Sequence, residues 1–457
     1  MTTAIKNEAN SSERTQPKPH VAALGLRVET ISISSLFPYP NNPRTHSKPQ
    51  IRRIADSLTQ FGWTNPVLAD NRGNILAGHG RVAAAKLLGF DSVPVIRIES
   101  MSDAEKRAYI IADNRLAERA GWDQELLAIE LQFLIDEDLD FEVELTGFDT
   151  GEIDLLLTHD SEDAEEPPAV PLPDAPVTSR AGDLWQVGEH RLFCGSALDE
   201  ASWSTLMGGE RAQMVFTDPP YNVPIAGHVS GLGKVRHREF AMACGEMSAE
   251  SFTQFLATSF RHLSSYSADG AIVFVCMDWR HMSEVLQAGK TTFNELKNLC
   301  VWAKTNAGMG SFYRSQHELV FVFKSGTAPH TNNFGLGESG RHRSNLWTYA
   351  GVNSFRKDRM EDLAAHPTVK PLKLVGDAIL DCSKRNGLII DPFAGSGTTL
   401  VAAHRSGRRG AGIELDPAYI DLIVGRLEQE TGSEAVLAAT GETFAMVKTH
   451  REQEGDQ

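Results

Sequence analysis

Five cysteines in 457 residues, at 194, 244, 276, 300 and 382, are too few and too scattered for a disulfide framework. No C-x-x-C and no Cys/His metal spacing occurs, so reduced thiols are expected and no metal. No apolar run approaches the length that crosses a bilayer, and the N-terminus lacks the basic and apolar regions of a signal peptide. A membrane is therefore not an expected partner, and the expected location is the cytoplasm. Basic charge is also scarce: 44 Lys and Arg against 60 Asp and Glu leave a formal charge of −16. That balance predicts weak non-specific binding to nucleic acid. The deficit is uneven, however. Residues 151–174 hold eight acidic side chains and no Lys or Arg, and 428–457 is acid-rich, while basic clusters stand at 234–238, 341–343 and 405–409. Arg236, Arg238, Arg341 and Arg343 are the candidate nucleic-acid contacts.

Against this background one stretch organises the chain. Asp218-Pro219-Pro220-Tyr221 follows the apolar run Met214-Val215-Phe216-Thr217, which reads as a short buried strand ending in a rigid turn. Two prolines fix φ and donate no hydrogen bonds, so carbonyls, a carboxylate and an aromatic face are left to meet whatever lies beyond the strand. Such a turn can accept two hydrogen bonds from an exocyclic amine while a ring stacks on the same base. The same four letters also fit a plain strand-ending turn with a surface Asp.

A second stretch favours the former. Leu388-Ile389-Ile390 leads through Asp391-Pro392-Phe393-Ala394-Gly395-Ser396-Gly397-Thr398-Thr399 into Leu400-Val401-Ala402-Ala403, a strand, a glycine turn and a helix. Gly395 and Gly397 admit close approach of a ligand, and the helix start offers free N–H groups. No GK[ST] follows, which excludes a phosphate loop, and Leu400 occupies the third glycine position of a dinucleotide fingerprint. Gly410-Ala411-Gly412-Ile413 reads as the next strand and ends in Glu414, the place of a ribose-binding acid.

The pairing of DPPY with DPFAGSGT resembles the S-adenosylmethionine-dependent DNA amino-methyltransferases, over residues 182–428. The catalytic turn precedes the cofactor turn, as in the family's permuted beta group. His366-Pro367-Thr368-Val369-Lys370-Pro371 also matches, and the resemblance implies that Lys370 helps hold the methionine end of the cofactor. It further implies cofactor contacts from Asp391, Phe393, Gly395, Gly397, Thr398 and Glu414. The family's adenine-contacting Asp is replaced by Ser196, with Asp199 as the alternative. Catalysis is implied for Asp218, Pro219, Pro220 and Tyr221, on the exocyclic amine of a flipped base in double-stranded DNA. The Asp at the first position favours adenine N6, with cytosine N4 as the alternative. No Pro-Cys dipeptide is present, which argues against a C5-cytosine methylase. The beta group also implies a homodimer.

Towards the N-terminus, Asn42-Pro43-Arg44, Gly78-His79-Gly80-Arg81 and Asp113-Asn114-Arg115 resemble the ParB N-terminal domain family. Arg81 at a glycine-flanked helix start is a candidate anion site, and the resemblance implies a nucleoside triphosphate held by Gly78, His79, Gly80 and Arg81. His79-Gly80 stands where partition proteins carry a Glu, which argues against hydrolysis. A helix-capping turn in a docking domain fits the same residues. The family's name suggests a nuclease, but no carboxylate cluster supports one, and no endonuclease is evident elsewhere in the chain.

The expected fold class is α/β. A Rossmann-like, permuted methyltransferase sheet with a terminal antiparallel strand pair is joined to a smaller α+β ParB-like domain. The expected boundaries are a disordered tail (1–27), the ParB-like domain (28–158), an acidic, proline-rich linker (159–181), the methyltransferase (182–428, with 325–365 as target recognition) and a fraying tail (429–457). Two rivals stand beside a DNA methyltransferase: a nucleotide-gated DNA-binding regulator with a vestigial methylase half, and an RNA or protein amino-methyltransferase.

Overall fold

The computed structural model describes residues 26–137, 139–157, 176–223, 243, 245–305, 312–335, 342–350 and 370–455. The chain divides into two compact units, 1–148 and 149–457.

In the first unit, β1 (Val28–Ser32), β2 (Val67–Ala69), β3 (Ile75–Ala77) and β4 (Ser92–Arg97) form a sheet in the order β1-β4-β2-β3. Only β2 and β4 run parallel. A 3-10 turn at Ile33–Ser35 follows β1. Ile31, Val67, Ile75, Val82, Val93 and Val95 make the core. Asp70 organises the β2–β3 hairpin by accepting from Arg72 N at 3.0 Å and Asn74 N at 2.9 Å. Four helices complete the unit: Lys48–Phe61, His79–Leu87, Asp103–Arg119 and Gln124–Asp136. Ser102 and Glu105 close a capping box at the start of the third.

The second unit is built on ten strands. They are β5 (Leu184–Val187), β6 (His190–Cys194), β7 (Ala212–Thr217), β8 (Ser267–Met277), β9 (Glu295–Lys304), β10 (His317–Lys324), β11 (Leu346–Tyr349), β12 (Leu388–Asp391), β13 (Arg409–Glu414) and β14 (Ala435–Leu437). The sheet order is β11-β9-β10-β8-β7-β12-β13-β6-β5-β14. The middle five, β6, β13, β12, β7 and β8, are mutually parallel. β10 lies antiparallel to β9, as expected for the terminal strand pair, and also antiparallel to β8.

Period-two side chains feed two cores, one on each face. Met214, Phe216, Ile272, Phe274 and Cys276 enter one, and Ala212, Val215, Val273, Val275 and Met277 the other. Helices Leu372–Cys382, Thr398–Arg405 and Pro417–Thr431 help fill the first, and Ala249–Tyr266 the second.

Three boundaries differ from expectation. The residues after Leu427 do not fray: the helix runs on to Thr431, β14 pairs with β5, and a further helix spans Phe444–Gly455. The reason is a need for cover, since Phe444 packs edge-on against the fully buried Trp185 at 5.1 Å. At the linker's end, Thr178 N and Ser179 N donate to the Asp421 carboxylate at 2.6 and 2.9 Å, so the chain is already part of the second unit there. Residues 158–175 lie outside the described residues. Finally, helix Thr150–Leu157 belongs to the second unit. Its Asp154 forms a bidentate pair with Arg408 (2.9 and 2.7 Å), both side chains being buried, and Arg408 also donates to Ser383 Oγ at 3.0 Å.

Removing one partner of such a pair strands the other charge in a low-dielectric interior. Asp154→Ala should therefore lower the unfolding free energy of the methylase unit by about 3–5 kcal/mol, read from urea denaturation. A loss below about 1 kcal/mol would show the clasp to be dispensable.

Candidate active site

Parallel strands place all their carboxyl ends at one edge, where ligands of open α/β sheets bind. Ser196 follows β6, Glu414 ends β13, Asp391 ends β12 and Asp218 follows β7. Because β10 and β9 are antiparallel, the start of β10 and the end of β9 reach the same edge, with Leu319 opposite Met277 and Glu318 opposite Trp302. Two motifs far apart in sequence thus become neighbours, and Thr217 Oγ1 donates to Asp391 Oδ1 at 3.0 Å.

The turn after β7 is the centre of a buried charge cluster. Tyr221 OH donates to Asp218 Oδ1 at 2.7 Å, and Glu318 Oε2 lies 3.1 Å away as a second acceptor for the same proton. Lys370 Nζ donates to Asp218 Oδ2 at 2.6 Å and lies 3.1 Å from Glu318 Oε2. Lys304 holds the other Glu318 oxygen. Beneath the two ammoniums lies the Trp302 ring, 4.6 Å from Lys304 Nζ and 6.0 Å from Lys370 Nζ. Burial pushes the Asp218 carboxyl up and Glu318 adds to this, with Lys370 opposing. Burial also disfavours the Glu318 carboxylate, but Lys370 and Lys304 outweigh it and bring its pKa down to about 2. For Lys370, burial is likewise overcome by the two carboxylates, which hold it above the usual lysine range.

Lys370, expected among the cofactor contacts, therefore has its ammonium at the catalytic turn. His366–Val369 lie outside the described residues. The exit of the turn is locked by Asn222, at φ 52°, a left-handed conformation that Asn tolerates better than most residues. Its side chain accepts from Gly245 N at 3.0 Å and Met247 N at 3.2 Å and donates to Met247 O at 2.9 Å.

The glycine turn after β12 is held from below. Asp391 accepts from Thr399 Oγ1 at 2.7 Å and Phe393 N at 3.1 Å in addition to Thr217, and burial pushes it up to about 7. Arg426 donates to Ser396 O. Glu414 accepts from Gly395 N at 2.8 Å and Asp416 N at 2.9 Å and is also raised to about 7 by burial. Gly397, at φ 80°, precedes the helix Thr398–Arg405, and a Cβ there would lie 2.8 Å from Ile423. Gly395, at φ 53°, is different: a Cβ would meet nothing nearer than Phe393 O at 3.8 Å, so the space beside it is open. Phe393 packs against Phe255 with ring centroids 5.8 Å apart, and Thr398 Oγ1 lies 3.2 Å from Ser396 Oγ. Ser196 Oγ accepts from Leu198 N at 3.2 Å, and Asp199 caps the helix Glu200–Met207. The open space beside Gly395, with the Glu414 carboxylate at one side and the start of the helix Thr398–Arg405 at the other, has the chemistry that the methionine and ribose of S-adenosylmethionine require.

Two expected sites differ. Arg343, expected to meet nucleic acid, turns inward. It donates to Asp381 at 2.7 Å and Tyr349 OH at 2.9 Å, because β11 lays it against the helix Leu372–Cys382. Arg236, Arg238 and Arg341 lie outside the described residues. In the first unit, Gly78 is left-handed and starts the helix His79–Leu87, and Gly80 is buried against Ile54. His79 Nε2 accepts from Tyr39 N at 3.3 Å. Arg81 donates to the carbonyls of Asn65 and Pro66, so an anion would have to compete with both. A pocket of about 470 Å³ adjoins Arg81, with Arg53, Ser57, Thr64 and Asn65 in its wall. Among the described residues no group of three or more His, Cys, Asp or Glu could hold a metal ion.

Glu318, Lys304 and Asn222 escaped the sequence reading. Glu318 left one signal, a lone acid at the head of the apolar strand Leu319–Phe323.

Comparison with known proteins agrees with this geometry. Residues 212–425 match the family model described as DNA methylase, 19–115 the ParB N-terminal domain, and 125–180 the ParB-methyltransferase HTH domain. The ParB-like nuclease domain-containing protein YnaK of Escherichia coli K12 is 49% identical over 82 residues, 18% of this chain and 94% of that protein. Type II methyltransferase M2.DpnII of Streptococcus pneumoniae is 28% identical over 51% of this chain and 88% of its own length. M2.MboI of Moraxella bovis is 27% identical over 48% and 81%. Among solved structures, PvuII DNA methyltransferase (cytosine-N4-specific) shares 17% identity over 54% of this chain and 92% of its own, with a TM-score of 0.40.

The two glycines separate folding from binding. Gly397→Ala should destabilise the unit, with about 1–2 kcal/mol from the left-handed backbone alone. Gly395→Ala carries the same left-handed cost without the Ile423 clash, so it should cost less stability, yet it should weaken S-adenosylmethionine binding because its methyl group enters the open cradle. Thermal unfolding and calorimetric titration distinguish them, and wild-type cofactor affinity in Gly395→Ala would remove the turn from the site. Asp391 and Glu414 carry a pH signature as well. Their folded pKa values lie above their unfolded ones, so their contribution to stability is full below about pH 4 and is lost as pH rises through about 7. Asp391→Asn, neutral throughout, should show a smaller fall in unfolding free energy between pH 5 and pH 8 than the wild type.

Proposed function

We propose that this chain, whose residues 212–425 match the DNA methylase family model and 19–115 the ParB N-terminal domain, methylates N6 of a flipped adenine at a specific site in duplex DNA. Cytosine N4 is the alternative target. The observation that carries this reading is the juxtaposition of Asp218-Pro219-Pro220-Tyr221 with the open glycine turn, linked by Thr217 and Asp391 at 3.0 Å.

Bound S-adenosylmethionine supplies an electrophilic methyl group. Gly395, Gly397, Thr398, Phe393 and Glu414 line its cradle, Ser196 stands beside them at the end of β6, and Asp391 acts from beneath by shaping the turn. The target amine is a weak nucleophile because its lone pair is delocalised into the ring. Asp218 and the Pro219 carbonyl accept its two protons as hydrogen bonds and draw the nitrogen toward tetrahedral geometry. Pro220 stiffens the turn, and the Tyr221 ring stacks on the flipped base. The proton that the methylated nitrogen sheds passes to Asp218, whose burial raises its affinity for it. Orientation and preorganised hydrogen bonding carry the rate.

A vestigial methylase half is disfavoured by the intact cradle and charge cluster. The same reading gives the enzyme a cytoplasmic setting, supported by the buried thiols Cys194, Cys276 and Cys300, none of them in a disulfide. No helix among the described residues is long and apolar enough to cross a membrane. A homodimer is part of the proposal through its likeness to the beta group.

Single-molecule sequencing of DNA from a methylation-deficient host expressing the chain tests the reading. Methyladenine in one short motif, absent with Asp218→Ala, is the expected result, and methylcytosine would move the target base. In vitro, Asp218→Ala should cut methyl transfer by about 10²–10³-fold or more with cofactor affinity unchanged. Loss of cofactor binding would instead give Asp218 a structural role, and no modified base with a cofactor-binding protein would exclude DNA as substrate.

A further inference from the structure

This inference rests on the methyltransferase reading above. Both oxygens of the Asp218 carboxylate are engaged before any base arrives: Oδ1 accepts from Tyr221 OH at 2.7 Å and Oδ2 from Lys370 Nζ at 2.6 Å. A target amine needs one of those positions. Glu318 already touches both occupants, with Oε2 3.1 Å from Tyr221 OH and 3.1 Å from Lys370 Nζ. Its other oxygen is fixed by Lys304, so Oε2 is the end left for exchange.

We propose that Glu318 is a positioning residue that takes over Lys370 and the Tyr221 hydroxyl when the target base enters, releasing Asp218 to accept the amine's protons. The exchange is a short shift of hydrogen bonds, with no covalent step. Two carboxylates and two ammoniums are present before and after the exchange, so the exchange itself leaves the net charge of the buried cluster unchanged, and a change there would be costly. Trp302 lies below the displaced ammonium and offers its ring face. Turning the Tyr221 hydroxyl toward Glu318 also fixes the ring plane on which the base stacks.

The pH profile distinguishes positioning from mere support. Asp218 is faced by Lys370 ahead of helix Leu372–Cys382, by Glu318 on β10, by Tyr221 in its own turn, by Cys276 on β8 and by Asp391 on β12. Asp218 must be ionised to accept from the amine, so activity rises with pH through its pKa. Burial raises that pKa first and the Glu318 charge raises it further. Glu318→Gln removes the second push and leaves Lys370 to Asp218 alone.

The experiment measures kcat, kcat/KM against pH and cofactor Kd for the full-length wild type, Glu318→Gln and Glu318→Asp, on the DNA motif found by sequencing. Glu318→Gln is expected to keep the cofactor Kd, lose about 10–100-fold in kcat, as orienting partners typically do, and move its acid limb to lower pH. Glu318→Asp is expected to return the limb toward wild type and regain part of the rate. If Glu318→Gln fails to bind cofactor, the Asp variant decides by the same two readouts. Wild-type kcat and limb in Glu318→Gln would overturn the proposal, as would equal loss in both variants with the limb unmoved. A wild type that methylates no DNA sinks both this inference and the reading beneath it, whereas an active wild type with indifferent variants sinks the inference alone.

Discussion

The seam between β7 and β12 is the constraint on which the second unit depends. Only two residue pairs define it, Ile389 with Met214 and Ile390 with Val215, yet it brings together chain segments that are far apart in sequence. Parallel pairing fixes which ends meet, so the DPPY turn and the glycine turn must emerge side by side. Thr217 and Thr399 then grip one buried carboxylate, Asp391, from the two sides of the seam. A strand slip of one residue would exchange the two cores and dismantle this contact. The cost of the geometry is a carboxyl group pushed up to about 7, held in a position that three hydrogen bonds define.

At the Asp154 clasp and at the catalytic turn, buried ions of opposite sign are paired, each with further hydrogen bonds, whereas Asp391 and Glu414 are held by hydroxyl and backbone N–H donors. Asp154 and Arg408 form a closed, bidentate pair that ties helix Thr150–Leu157 to the sheet's far side. Asp218, Glu318, Lys370 and Lys304 form an open version, in which one oxygen of Glu318 is shared by two donors. The closed pair has no second carboxylate among the described partners of Arg408, although Arg385 also reaches Asp154 Oδ1 at 3.2 Å. The open cluster has one, since Lys370 and Tyr221 each touch two acceptors. That difference separates a structural clasp from a site able to admit a polar substrate.

Much of this was legible in the sequence where local pattern and chemistry coincide. DPPY after an apolar run, the glycine turn between strand and helix, and Glu414 at the tip of the next strand all stand where the motif grammar put them. The antiparallel β9–β10 pair was equally readable from its two apolar runs. What was not legible depends on long-range pairing. Glu318 is one acid at the head of a strand, and its role exists only because β10 runs antiparallel and returns to the catalytic edge. The C-terminal strand and helix read as a fraying, acidic tail, since the apolar residues Val436, Leu437, Phe444 and Val447 are sparse. Their purpose, covering Trp185, is set by a residue far upstream.

Cations show the same limit from the side of electrostatics. A basic residue in a sequence does not say whether its partner is a phosphate or a carboxylate. Arg343, Arg408 and Lys370 all turn inward to Asp381, Asp154 and the Asp218–Glu318 pair, and Arg81 to two carbonyls. Each such pair removes one charge of either sign from the surface, so the net charge is unchanged while the cations free to meet DNA are fewer than a count of Lys and Arg implies. Weak electrostatic attraction leaves discrimination to short-range contact with the flipped base. A catalytic carboxylate that must first be released from Lys370 suits that division. A backbone phosphate passing over the site cannot bring about the release, whereas a base seated on Tyr221 can, by offering its own amine in exchange.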